Sequence, residues 1–202
     1  MGASSRRPRP SPGTPAPRAF LFFGVITGFR EVFDAVRERI VTEFGEIHPR
    51  GESPIFPFPQ TRTYEDSMGA NLERRFLVLA EPWPEDGLAA VKLAALAIED
   101  EVARAGRHPV VRPVNIDPGL VNDCRIILAS TKDYAHRIYR GSGVWEEITL
   151  YFADGAYRTH PWTYPDFRSP PYHEFFLPFR EEILELRTGR PRGRGRSPHP
   201  RA

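Results

Sequence analysis

Residues 19–45 read AFLFFGVITGFREVFDAVRERIVTEFG, and the two halves of this stretch carry different periods. Ala19–Thr27 is a continuous apolar run, the pattern of a strand buried on both faces of a sheet. Arg30–Phe44 then sets Val32, Phe33, Val36, Ile40, Val41 and Phe44 at helical spacing, with Gly45 as a stop. A buried strand that runs into an amphipathic helix points to a fold mixing sheet and helix, and the downstream segments extend that pattern.

Glu46–Phe58 is punctuated by Pro49, Pro54 and Pro57, which leaves room only for a short strand at a sheet edge. Gln60–Asn71 is polar and reads as a loop with a helical turn. Arg74–Ala80 (RRFLVLA) is a strand. Leu88–Ala105 is a helix with Leu88, Val91, Ala95, Ile98 and Val102 on one face and Gly106 at its end. Val110–Ile116 is a strand interrupted by Pro113. The order strand, helix, strand, strand, helix, strand is that of an α+β, ferredoxin-like βαββαβ core, one antiparallel sheet with two helices on one face. Additional antiparallel strands are expected at Cys124–Ser130, Ala135–Tyr139, Val144–Phe152 and Ala156–Thr159. A C-terminal helix is expected at Pro171–Leu186, with Phe175, Phe179, Ile183 and Leu186 as its core stripe. No internal repeat is found.

A chain of 202 residues, 40% hydrophobic and 27% charged, is large enough to bury a core, and a single α+β domain is expected over residues 19–186. Residues 1–18 hold four arginines and no acid, and residues 187–202 hold six arginines and no acid. Both segments are rich in Pro, Gly and Ser, without apolar periodicity, and are expected to be disordered basic tails. With them set aside, 18 basic residues face 26 acidic ones, a net of −8 under an overall +2. Phosphate contacts need clustered Lys and Arg, so the acidic body argues against nucleic acid as a partner of the folded part. The tails admit two readings, a basic arm making weak nucleic-acid or membrane contacts and a plain solvated extension. No run approaches the length of a membrane span. Phe20–Ile26 is too short, and lacks the small-residue cleavage site, to be a secretion signal, so a first strand is expected there. Cys124, the single cysteine, cannot form an internal disulfide and sits among apolar residues as a small core side chain. A cytoplasmic location is the expectation that fits it.

Candidate site residues concentrate between 112 and 168. Asn115-Ile-Asp-Pro-Gly119 reads as a strand ending in a Pro-Gly turn. Asn115 and Asp117 then lie on one side of the strand end, either meeting a ligand or cation or closing an Asx-type turn. Ser130-Thr131-Lys132 ends the next strand, where Lys132 either meets an anion or caps the strand. Around Arg140-Gly141-Ser142-Gly143 a hairpin is expected. With Gly141-Ser142 at the centre of its turn, Arg137 faces Glu146 and His136 faces Glu147. Val144, Glu146, Ile148, Leu150 and Phe152 then share one face, and Trp145, Glu147, Thr149 and Tyr151 the other. A carboxylate opposite a histidine orients the ring, as a general base or metal ligand requires, or forms a cross-strand salt bridge. A turn centred on Ser142-Gly143 would shift this pairing and separate His136 from Glu147. Trp162-Thr-Tyr-Pro-Asp166 is a stiff loop, with Trp162 and Tyr164 placed to stack on a flat ligand or to plug the sheet end. Asp117, His136, Glu147 and Asp166 match no zinc or calcium signature, so no metal is assigned, and no cofactor is implied.

The succession Tyr64-Glu65, Met68-Gly69, Leu72, Arg75-Phe76, Asn115–Gly119, Ser130–Lys132, Ala135–Tyr139, Gly141, Gly143 and Trp162–Asp166 resembles a bacterial family, domain of unknown function 4416, over about Phe20 to Arg180. The chain departs from that pattern at Ser67, where an acid is expected, at Trp145, where a tyrosine is usual, and at Phe167, which follows the aspartate in place of a tyrosine. The resemblance implies no activity, because the family is uncharacterised. Two function classes stand. In one, the protein is an enzyme on a small anionic or nucleotide-like substrate, with His136 as acid/base, Glu147 orienting it and Lys132 and Arg137 holding the anion. Asn115 and Asp117 position the substrate or a divalent cation, and Trp162, Tyr164 and Asp166 are further ligand-binding residues. In the other, the same residues hold a ligand without turnover, as a binding or regulatory module.

Overall fold

The computed structural model describes Gly13, residues 16–58 and residues 62–189. Most of the two segments expected to be tails, residues 1–12, 14–15 and 190–202, lies outside the described residues. The elements in chain order are β1 (Arg18–Thr27), α1 (Arg30–Phe44), β2 (Ile47–Glu52), β3 (Phe56–Pro57), α2 (Arg62–Met68), β4 (Glu73–Leu79) and β5 (Trp83–Pro84). There follow α3 (Leu88–Arg104), β6 (Val114–Val121), β7 (Arg125–Ser130), β8 (Ile138–Gly141), β9 (Val144–Ala153), β10 (Ala156–Thr159) and α4 (Pro170–Thr188).

The fold is α+β, built on one antiparallel sheet with the order β10-β9-β7-β6-β1-β4-β2. Short β3, β5 and β8 attach to β4, β1 and β9. β1 is central because both of its faces are apolar, and the alternation divides them cleanly. Leu21, Phe23 and Val25 face a core shared with Val32, Val36 and Ile40 of α1 and Val91, Ala95 and Ile98 of α3. Phe20 and Phe22 face a second core with Phe76 of β4 and Tyr172, Phe176, Phe179 and Ile183 of α4. The sheet is therefore covered by α1 and α3 on one side and by α4 on the other. The α4 side is unusually aromatic: Phe76 alone packs its ring against Phe22, Tyr172 and Phe176 at centroid distances of 6.0, 4.7 and 4.9 Å. Edge-to-face contacts of this kind add to the gain from area burial.

Several expected elements move. β6 does not stop at a Pro-Gly turn but runs through Pro118 and Gly119 to Val121. Gly119 is needed there for close approach. A Cβ at that position would lie 2.4 Å from Phe22 Cζ and 2.5 Å from the Ile127 carbonyl oxygen. Tyr134–Arg137 is a turn closed by Arg137 N–H donating to the Tyr134 carbonyl (2.9 Å), and β8 begins only at Ile138. The hairpin turn is centred on Ser142-Gly143, with Gly141 opposite Val144, Tyr139 opposite Trp145 and a bulge between these two pairs. A second bulge, between the pairs Ile126–Leu150 and Ile127–Ile148, leaves Thr149 as an extra residue. That bulge reverses the alternation of β9, so Val144 enters the α1/α3 core while Leu150 enters the α4 core. The expected single face of Val144, Glu146, Ile148, Leu150 and Phe152 is therefore broken. On α4 the buried stripe is Tyr172, Phe176, Phe179 and Ile183, one residue away from the expected start at Phe175, and Leu186 is 62% exposed. Cys124 is half-buried in the turn between β6 and β7, its backbone N–H bonded to Asn122 Oδ1 (3.0 Å), instead of lying in the core.

Candidate functional site

The site exists because β6 and β7 part company. Their ladder covers only Gly119–Val121 against Ile126–Leu128, while β6 begins at Val114 and β7 continues to Ser130. Pro118 sits where the ladder fails, and the parity of the strand explains the failure. Ile116 turns its N–H and C=O away from β1, and Pro118 shares that direction, so the donor it lacks is one β7 would have needed. The edge of β6 left open at Ile116 is satisfied by α3, which packs across the split. Lys92 Nζ donates to the Ile116 carbonyl (2.7 Å), and the Ile116 N–H donates to Glu99 Oε1 (2.8 Å). A buried Lys–Glu pair thus stands in for a missing strand and keeps the parted strands from carrying unsatisfied backbone groups.

A cleft of ≈530 Å³ opens at this split. Its floor is a polar chain. Buried Arg74 donates to Asp166 and, at 3.4 Å, to Asp117. Asn115 Nδ2 donates to Asp117 Oδ2 (2.8 Å), and Arg112 donates to both Asn115 Oδ1 and Glu99 Oε2 (3.1 Å). The Arg74 guanidinium also lies over the rings of Phe58 and Phe167, at 4.8 and 5.4 Å from their centroids. Burial works against its charge, but Asp166, then Tyr172 and Asp117, outweigh that and raise its pKa. On Glu99 the balance falls the other way: burial dominates the attraction of Lys92 and Arg112 and raises the carboxyl above its ordinary range.

The opposite wall is organised by Arg137, whose side chain is 1% exposed. Its Nε donates to Glu147 Oε2 (2.7 Å), Nη1 to Ser130 Oγ (2.7 Å) and the Lys132 carbonyl (2.9 Å), and Nη2 to Tyr164 Oη (2.6 Å). The guanidinium stacks 4.5 Å from the centre of the Tyr134 ring. Glu147 also accepts from His136 Nε2 (2.9 Å) and from Thr149 Oγ1 (3.2 Å), so both of its oxygens are engaged. His136 keeps Glu147 as its partner although the hairpin register is the one expected to separate them. It does so because His136 belongs to the Tyr134–Arg137 turn and is not bound to the ladder. Burial raises the phenol of Tyr64 to about 12, helped by the charge of Asp117, and burial likewise raises Tyr164 against the pull of Arg137.

Of the expected site residues, Asn115, Asp117, Lys132, Arg137, Glu147, Tyr164 and Asp166 line the cleft. His136 and Trp162 do not. The His136 ring stacks on Trp162 (5.2 Å, 13°), which stacks in turn on His160 (4.6 Å, 4°). The loop carrying Trp162 is anchored to β9 between its partners β8 and β10. Trp162 Nε1 donates to the Ile148 carbonyl (3.0 Å), and Thr163 Oγ1 donates to that of Thr149 (2.6 Å). Tyr64, Arg74, Lys92 and Arg112 also line the cleft and were not among the expected residues. Two signals pointed to Arg74 and Lys92: an arginine alternating with Phe76 and Val78 on a buried strand face, and a Lys–Glu pair seven residues apart beside the apolar stripe of α3. Among the described residues no group of three or more His, Cys, Asp or Glu side chains is placed to hold a metal ion. No helix among them is long and apolar enough to cross a membrane.

These features define an α+β protein with a split antiparallel sheet and a polar, aromatic-walled cleft at the split. The chain belongs to the family described as Domain of unknown function (DUF4416), whose model matches residues 17–182. No curated protein and no solved structure matches the chain.

Proposed function

We propose that the cleft holds a small anionic ligand. The observation that carries this reading is the way Arg137 prepares its neighbours. Glu147 neutralises the guanidinium, which in turn occupies an acceptor position on Ser130 Oγ and on Tyr164 Oη. Ser130 Oγ accepts a second bond from the Lys132 N–H (3.1 Å). Each hydroxyl keeps its own proton to donate, the Lys132 side chain lines the same cleft, and donors held in place before the ligand arrives are what anion recognition needs. Thermal unfolding of the full chain with nucleotides, sugar phosphates, small carboxylates and divalent metals tests the reading. An anion at about a hundred times its Kd stabilises by about 2.7 kcal/mol, and Lys132→Ala should weaken that effect. Indifference to every anion in the panel would contradict it.

An enzymatic reading is favoured by one contact, the 2.9 Å bond that orients His136 on Glu147. In it, His136 is the acid/base group and the cleft holds an anionic substrate. His136→Gln separates the readings: lost turnover with retained binding supports catalysis, and unchanged handling of the ligand supports a binding module. The binding reading goes further because Glu147 is already shared with Arg137 and the His136 ring lies against Trp162 outside the cleft lining. For the architecture, we read β1-α1-β2-β4-α3-β6 as a ferredoxin-like core, supported by the order β6-β1-β4-β2 in the sheet, with β3, α2 and β5 as insertions. A cytoplasmic location, a single domain over 19–186 and weak nucleic-acid contact through the basic tails complete the proposal.

A further inference from the structure

Among the described residues the charges of the cleft cancel except for one. Arg74 pairs with Asp166 and Asp117, and Arg112 with Glu99. Lys92 lies 3.7 Å from Glu99 and 3.8 Å from Asp117, and Arg137 pairs with Glu147 at 2.7 Å. These four cations and four carboxylates balance. Lys132 is the cleft cation left over, with no carboxylate within ion-pair distance among the described residues and its Nζ 5.9 Å from the centre of the Tyr64 ring. A ligand bringing one negative charge completes the balance. A second charge meets no spare cation and competes with Glu147 or Asp117 for theirs. The remaining walls are largely flat and apolar, with the rings of Phe58, Tyr64, Tyr134, Tyr164 and Phe167 and the side chain of Leu128 among the lining.

Resting on the anion-binding reading, we infer that the ligand is a monoanion, a carboxylate carried on a flat apolar body, and not a polyphosphate or nucleotide. The carboxylate meets Lys132, Ser130 and Tyr164, and the body lies between the rings. The test uses three probes sharing one phenyl ring, titrated calorimetrically into the full chain at about pH 8, where a phosphate monoester is doubly charged. Phenylacetate should bind roughly tenfold or more tighter than either phenyl phosphate or benzyl alcohol, the size of one charge-assisted hydrogen bond. Lys132→Met, at an exposed position, should remove that preference. Phenyl phosphate binding as tightly as phenylacetate overturns the monoanion inference and leaves the anion-binding reading standing. Benzyl alcohol binding as tightly overturns the role of charge, and with it both. Failure of all three to bind overturns the flat apolar body, while the anion-binding reading is decided by the wider panel of non-aromatic anions.

Discussion

Arg137 joins the stability of this protein to its cleft. Four of the five N–H donors on its planar fork meet Glu147, Ser130, the Lys132 carbonyl and Tyr164 at once, which a lysine cannot reproduce. Arg137→Met strands a Glu147 whose side chain is 1% exposed, and the expected cost is about 3–5 kcal/mol in urea unfolding. A loss below about 1 kcal/mol would mean that His136 and Thr149 suffice to hold the carboxylate. Gly119 makes a second residue-scale demand. Gly119→Ala drives a methyl into the Phe22 ring and the Ile127 carbonyl, and should destabilise by about 1–3 kcal/mol. The phenols add a pH dependence. Tyr64 and Tyr172 are raised to about 12, and Tyr157 and Tyr164 are raised too, all by burial first. A raised pKa means that the folded state holds its proton more tightly. The stability from these groups is therefore complete below the ordinary phenol value near 10 and is lost as pH rises through the raised values. An alkaline titration of phenolate absorbance should show these four ionising late, together with unfolding.

The element on which most depends is α3, whose Lys92 and Glu99 occupy the open edge of β6. Because burial raises the Glu99 carboxyl, folding should be most favoured by this group below 4.5 and should lose that contribution as pH climbs through the raised value. Glu99→Gln should flatten that part of the stability–pH profile, and an unchanged profile would show that folding leaves the Glu99 pKa where it is in the unfolded chain. Phe176→Ala on α4 should cost about 3–5 kcal/mol, since the ring is fully buried against Phe22 and Phe76. At this scale, legibility in the sequence tracked how far local chemistry decides the element. β1 and α1 were readable because two apolar faces and a helical stripe leave few alternatives. α4 was misread by one residue because Phe175 and Phe176 are adjacent and either starts an acceptable stripe. Pro118-Gly119 carries the residues of a turn, yet its surroundings make it the end of a ladder and a notch for Phe22. The bulge at Thr149 has no local signature, so the faces of β9 could not be assigned by alternation.

For the whole molecule, a sheet covered on both sides leaves few places for a ligand, and the split between β6 and β7 supplies one by relaxing the ladder without exposing backbone. The part of the cleft carried by residues 112–168 was visible as a dense run of polar and aromatic side chains. Its floor was only partly visible: Asn115, Asp117 and Asp166 fall in that run, but Arg74 and Lys92 come from distant segments that only the fold brings together. The pairing of His136 with Glu147 was anticipated through a hairpin register that the chain does not adopt; a turn before β8 brings them together instead. On the proposed reading, the cleft binds an anion at Lys132, Ser130 and Tyr164. The most direct measurement is an amide chemical-shift titration of the full chain with phenylacetate, followed by the same titration of Lys132→Met. Saturable shifts clustered at Asn115–Asp117, Ser130–Lys132 and Tyr164, and weakened in the variant, are the predicted result. Shifts confined to residues outside the cleft, or equally strong without Lys132, would contradict it.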